Sequence, residues 1–135
     1  MPGESVVDVR WTERLVFEGG GAGRPAITVD GDGARATSPV EVLLLAAATC
    51  SAADIVVILG KQRVALQTLE VRVRGTRREE QPRRFTAIRF EFTIAGPGAT
   101  EQGARRAIDL SITKYCSVIA SLAPDIAISY DVTIR

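Results

Sequence analysis

Residues 38–59 read SPVEVLLLAAATCSAADIVVIL, the most apolar stretch of the chain, with a cysteine in its middle. How this stretch is read decides the fold. A membrane span needs roughly 20 apolar residues with few charges. Here Glu41 and Asp54 interrupt the run, so the stretch is read as a buried helix. Ser38 is a natural N-cap, and Pro39 suits the first helical position, where a backbone N–H is not needed. Leu43, Leu44, Leu45 and the alanines after them are strong helix formers. Gly60, Lys61 and Arg63 suit a helix C-terminus. A helix that is apolar nearly all round must be covered on most sides. One small sheet covers only part of it, so a second helix or a second subunit is implied.

The 135 residues are expected to form one domain, residues 1–135. A composition of 46% hydrophobic and 24% charged residues is ordinary for a folded soluble protein. The net charge of +1 gives no global attraction to nucleic acid or to an anionic membrane. Aromatic residues, at 5%, are too few for a base-stacking surface. The expectation is therefore no nucleic-acid partner and no membrane partner. The chain has no histidine, which excludes a Ser-His-Asp triad, a Cys-His dyad and any His-ligated metal. Two cysteines do not make the common four-ligand zinc site, so no metal is expected. The N-terminal MPGESVVDVRW has no basic region followed by an apolar run. No signal peptide is read there, and a cytoplasmic location is the default.

Outside the apolar helix the pattern is mostly strand. Residues 6–17 read as one strand, with Val7, Val9 and Trp11 in register, and Gly19, Gly20, Gly21 and Gly23 as a flexible turn. Residues 26–29 return as a strand, and residues 31–37 are a loop. Residues 68–77 alternate, with Leu69, Val71 and Val73 opposite Glu70, Arg72 and Arg74. Residues 84–95 alternate as well, and the charged turn between these two runs predicts an antiparallel hairpin. Thr100 caps a second helix, expected to reach Leu122 before Pro124 ends it. Residues 126–134 close as a strand. The class is α+β.

Each helix carries one cysteine, Cys50 in the first and Cys116 late in the second. Two readings stand. Free cysteine is among the most buried residue types, so both are candidates for plain core positions. Alternatively, a cysteine pair in a reducing compartment is a candidate redox couple. Spacing alone does not bring them together. Asp54, four residues after Cys50, shares its helix face and has the wrong sign to stabilise a thiolate. A carboxylate inside so apolar a helix needs a partner. Asp109 lies seven residues before Cys116, on roughly the same face, and is read as a cap or a solvated group. Glu41 lies nine residues before Cys50, about half a turn round the helix.

Taken together, two motifs carry a resemblance. SPVEVLLLAAATCSAADIVVILGKQR resembles the first-cysteine helix of the OsmC/Ohr family of thiol peroxidases, and DLSITKYCSV resembles its second. TRREEQPRRFTAIRFEFTIAG is similar to the family's central hairpin. The likeness runs from about Ser38 onward and is nearest to the OsmC-like branch with CSxxD and KYCSV segments. It implies two central helices packed on curved antiparallel sheets, in an intertwined homodimer with sites at the subunit interface. It assigns Cys50 as the peroxidatic cysteine, oxidised to a sulfenic acid by a small organic hydroperoxide. It assigns Cys116 as the resolving cysteine, closing a disulfide. An external dithiol, lipoyl-based in Ohr-type relatives, would reduce the pair, and no cofactor is required. Glu41 and Asp54 are accessory candidates.

The sequence departs from the family pattern at three points. The family's glutamate directly follows the helix-start proline, whereas here Val40 follows Pro39 and Glu41 comes one place later, turned by about 100°. The thiolate-stabilising arginine of the N-terminal region has Arg14, Arg24 and Arg35 as candidates. The proline of Ohr-type second-cysteine motifs is replaced after Cys116 by Ser117. Two functional classes follow. One is a thiol peroxidase for organic hydroperoxides in oxidative-stress defence. The other is a non-peroxidase dimer on the same fold, with a redox-responsive or ligand-binding role. A purely structural role for both cysteines is the third reading.

Overall fold

The computed structural model describes residues 3–135. By its contacts the chain divides into two compact units, one ending at Leu43 and one beginning at Leu44. The first unit carries an antiparallel sheet of β1 (Val7–Glu13), β2 (Val16–Gly21) and β3 (Ile27–Asp30), in that order.

The single strand expected over residues 6–17 is in fact a hairpin. Arg14 takes a left-handed conformation at φ 49° and turns the chain between Glu13 and Val16, which pair. Trp11 Nε1 donates to the Arg14 carbonyl at 2.8 Å and holds the turn. A polar turn residue stood inside an apolar alternation and hid the break. The glycines expected to form a turn, residues 19–21, are instead the end of β2. A side chain at Gly19 would put its Cβ 2.9 Å from the Asp8 carbonyl of the neighbouring strand. Glycine is here for close approach of backbones. β1 is exposed along its whole length, with Val7, Val9 and Trp11 open to solvent in the single chain.

The loop after β3 is organised by Asp30. Its carboxylate accepts the backbone N–H groups of Asp32 and Arg35, each at 2.9 Å. Those donors hold its pKa below the usual carboxylate value. Helix α1 (Pro39–Lys61) starts immediately after this loop. Ser38 and Glu41 form a reciprocal capping box: Ser38 N–H donates to Glu41 Oε1 at 2.9 Å, and Glu41 N–H donates to Ser38 Oγ at 3.3 Å. α1 ends in a Schellman motif around Arg63 at φ 64°. Val64 N–H reaches the Leu59 carbonyl, and Arg63 N–H reaches that of Gly60, each at 3.0 Å. Gly60 lies near the end as expected, one residue before the last helical position Lys61, while Arg63 takes the left-handed position. By length and composition α1 is long and apolar enough to cross a membrane, and 28% of its most apolar window is buried within the single chain.

In the second unit, β4 (Thr68–Arg77), β5 (Phe85–Ala95) and β6 (Ala127–Ile134) form a sheet with β5 in the centre. β4 pairs with β5 antiparallel, as the hairpin reading expects. β6 pairs with β5 in parallel, so this sheet is mixed, not purely antiparallel. The helical connection between β5 and β6 makes that crossover possible. Phe85 and Ile88 are both buried although they lie three positions apart, which in a regular strand would put them on opposite faces. The ladder explains this, since Phe85 pairs with Arg77 and Ala87 with Thr76, leaving Thr86 as the extra residue of a bulge. From there Ile88, Phe90, Phe92 and Ile94 fill one face of the sheet. The core also takes Ala47, Ile55 and Leu59 of α1, and Ala104, Ala107 and Ile108 of α2 (Glu101–Leu110). Thr100 caps α2, with Gly103 N–H donating to its Oγ1 at 3.0 Å.

The second helix does not run unbroken to Leu122. After α2 the chain widens into a π-helical turn, Ser111–Tyr115. Cys116 then leaves helical geometry at φ −72°, ψ 104°, and a short helix α3 (Ser117–Ala120) follows. Sequence periodicity is nearly blind to one inserted residue of this kind.

Candidate active site: two thiols and a buried hydroxyl relay

Cys50 stands in the middle of α1, half-buried, and Cys116 is 3% exposed. Both thiols are free. They are neighbours: a hydrogen bond joins Ser51, next to Cys50, to Ser111, whose carbonyl holds the Cys116 N–H, and the Cys50 side chain acts on the Cys116 thiol. Burial is the main cause pushing the Cys116 pKa above its usual 9.0, and the adjacent Cys50 pushes it further up. The Ile119 N–H, which donates to Cys116 Sγ at 3.4 Å, works the other way. The two sulfurs that spacing alone left apart are thus brought together by the packing of α1 against the segment after α2.

That packing is pinned by polar groups. Ser51 and Ser111 are wholly buried. Ser111 Oγ lies 2.9 Å from Asp54 Oδ2 and 3.0 Å from Ser51 Oγ. A serine hydroxyl has one proton. Ser111 gives it to the carboxylate, the stronger acceptor, and Ser51 then donates to Ser111. The result is a relay, Ser51 to Ser111 to Asp54, that joins α1 to the π turn. This is the partner that Asp54 required. Among the described residues, no buried side-chain N or O atom lacks a hydrogen-bond partner.

The relay also reaches Cys116 through the backbone. The Cys116 N–H donates to the Ser111 carbonyl at 2.8 Å, five residues back, which is the hydrogen bond of a π turn. Ser51 and Ser111 are the site residues that the sequence reading missed. Position alone did not distinguish them: Ser51 lies three residues before Asp54 on one helix face and Ser111 lies in the second cysteine motif, but only packing pairs the two.

The other acids have structural employment. Glu41 is in the capping box of α1. The N–H of Ser38 is the main cause holding its pKa below the usual value. Asp109 accepts from Tyr130 Oη at 2.7 Å, tying α2 to β6. Of the three candidate arginines, Arg35 is paired with Glu13, Arg14 forms the β1–β2 turn, and Arg24 sits in the turn after β2 with its N–H on the Gly21 carbonyl.

One turn along α1 from Cys50, Asp54 borders a cavity of about 440 Å³. Val57, Ile58 and Leu110 supply apolar wall, Lys61 and Arg106 supply charge, and Tyr115, the neighbour of Cys116, closes it.

Residues 30–131 match the family model described as OsmC-like protein. Protein YhfA of Escherichia coli strain K12 is 44% identical over 127 residues, which covers 92% of this chain and 95% of that protein. The fold superposes on a hypothetical protein from Aquifex aeolicus VF5 with a TM-score of 0.86, at 26% identity and 99% coverage of both chains. It superposes on the organic hydroperoxide resistance protein OhrB of Bacillus subtilis with a TM-score of 0.63. That match has 12% identity and covers 97% of this chain and 98% of the other, a likeness of fold alone. With three quarters of its length on the family model and a close full-length relative, this chain belongs to the OsmC-like protein family.

Proposed function

We propose that the protein is a cysteine-based thiol peroxidase that reduces small organic hydroperoxides, in defence against oxidative stress. The observation that carries this reading is the adjacency of two free thiols, one half-exposed on α1 and one buried at the end of the π turn. The half-exposed Cys50 is the attacking group. Its thiolate sulfur takes the outer oxygen of the hydroperoxide, the O–O bond breaks, and the alkoxide leaves as alcohol on gaining a proton. Cys50 is then a sulfenic acid. The Cys116 sulfur attacks it, an S–S bond forms, and hydroxide leaves as water with the thiol proton. An external dithiol, lipoyl-based in this reading, returns both thiols by exchange and is itself oxidised to a disulfide.

Membership of the OsmC-like family supports a stress-related role, and the name of the Bacillus subtilis neighbour points to organic hydroperoxides. The apolar wall of Val57, Ile58 and Leu110 favours an organic substrate over hydrogen peroxide. The reading includes a homodimer in the cytoplasm, with partner subunits covering the apolar surface that the single chain leaves open on β1 and α1. The test is one equivalent of cumene hydroperoxide added to the reduced protein, followed by a thiol count and an intact mass. The expected result is rapid loss of both thiols with a mass decrease of two hydrogens. Two thiols still free after prolonged exposure would overturn the reading.

A second reading has one observation in its favour. The Glu41 carboxylate binds the helix start and Arg35 is paired with Glu13, so neither is committed to a thiolate. On that reading the same disulfide is a regulatory device of a redox-responsive or ligand-binding dimer. Disulfide formation without peroxide turnover in the presence of dihydrolipoamide would select it.

A further inference from the structure

We propose that Ser111, anchored by Asp54 and Ser51, is a positioning residue that sets Cys116 for disulfide closure with Cys50. The proposal deepens the thiol-pair reading above and rests on it.

The geometry concentrates three connections in one residue. The Ser111 side chain is fixed to α1 at Asp54 and at Ser51, the residue next to Cys50. Its carbonyl holds the N–H of Cys116 at 2.8 Å. Ser111 is also the first residue of the π turn and is wholly buried. Cys116 lies between the π turn and α3, its backbone extended at ψ 104° and its sulfur accepting the Ile119 N–H of α3, and neither contact reaches α1. What places it relative to Cys50 is the turn before it, and that turn is tied to α1 through this hydroxyl. A hydroxyl–hydroxyl–carboxylate chain between α1 and the π turn also specifies register, because a shift of either would leave its members unpaired at a cost. Disulfide formation is sensitive to such placement, as the two sulfurs must approach within bonding distance along a narrow range of torsion.

Diamide tests this without requiring peroxide chemistry. One thiol adds across the N=N bond, forming an S–N bond and an N–H. The second thiol displaces the hydrazine: the S–S bond forms, the S–N bond breaks, and the second thiol proton goes to the leaving nitrogen. The diazene has then gained two electrons and two protons. In the wild type the adduct should pass directly to the disulfide. In Ser111→Ala the adduct should accumulate, seen by intact mass, with closure slowed roughly tenfold or more. Alkylation of Cys50 by iodoacetamide should stay within about twofold. Asp54→Asn keeps a carbonyl acceptor for the Ser111 hydroxyl and should close at nearly the wild-type rate. Asp54→Leu should close as slowly as Ser111→Ala, and this pair decides the matter should Ser111→Ala fold poorly.

Ile108→Val, a core change away from the relay, controls for loss of stability alone. Closure in Ser111→Ala and Asp54→Leu at the wild-type rate, or no slower than in Ile108→Val, would overturn the positioning role. A wild type that closes with diamide yet consumes no hydroperoxide would overturn the peroxidase reading and leave the positioning role standing. A wild type that never closes would overturn both.

Discussion

Ser111 donates its hydroxyl proton to Asp54 at 2.9 Å, while its backbone carbonyl accepts the N–H of Cys116 at 2.8 Å. One residue therefore joins the acid of the first cysteine helix to the backbone of the second cysteine. The same relationship accounts for a charged side chain in an apolar helix. Asp54 is half-buried, facing the cavity bounded by Lys61 and Arg106 on one side and the relay on the other.

The two cysteines should be unequal. Cys50→Ser should abolish hydroperoxide consumption, because the half-exposed thiol is the attacking group. Cys116→Ser should still form one sulfenate, which a dimedone adduct on Cys50 would reveal by mass. Turnover with dihydrolipoamide should fall in that variant, since the resolving step is lost. Full activity in Cys50→Ser would rule the assignment out.

The raised pKa of Cys116 sets its pH behaviour. Burial favours the neutral thiol, so the folded value lies above the unfolded value near 9.0. The stabilisation that goes with this is complete below the unfolded value and is lost as pH rises through the folded value. In Cys50→Ser, iodoacetamide labelling of Cys116 should rise with a midpoint above 9.0 and should be slow at neutral pH. A labelling plateau already reached by pH 8 would show that the thiol is not held in this way.

Much of this was legible in the sequence, and the gaps have physical causes. Apolar content and a capping signal located α1. Alternation located β4 and β5, and Thr100 marked the start of α2. The Arg14 turn was hidden because it breaks an apolar alternation without glycine or proline. The π turn was hidden because one extra residue leaves helical periodicity almost intact, yet it decides where Cys116 points. The parallel pairing of β6 depends on a crossover, and strand pattern carries no direction. Both cysteines and Asp54 were legible as candidates. Ser51 and Ser111 were not, since a small hydroxyl residue on a helix is common and gains meaning only when packing gives it a partner.

The start of α1 supplies a test of local stability. Ser38→Ala removes the acceptor for the Glu41 N–H and should cost about 1 kcal/mol in urea unfolding. Glu41→Ala should also destabilise at neutral pH, through loss of the carboxylate that accepts the Ser38 N–H. The pKa of Glu41 is lowered by that bond, so its contribution is present above the unfolded value near 4.5 and disappears as pH falls through the folded value. The stability gap between Glu41→Ala and wild type should therefore close in acid. A gap that stays constant from neutral pH down to the end of the native range would argue against the capping role.

The exposed apolar face of α1 is the feature with the largest consequence for assembly. Leu45, Val56 and Val57 are 51%, 47% and 58% exposed in the single chain. On the homodimer reading a second copy covers them, and a charge placed there would have to be buried unpaired. Val57→Asp should weaken association roughly a hundredfold in Kd. Sedimentation equilibrium of the wild type should give a dimer at micromolar concentration, and Val57→Asp a monomer whose far-UV spectrum is unchanged. A wild type that sediments as a monomer would remove the second subunit as the cover for α1.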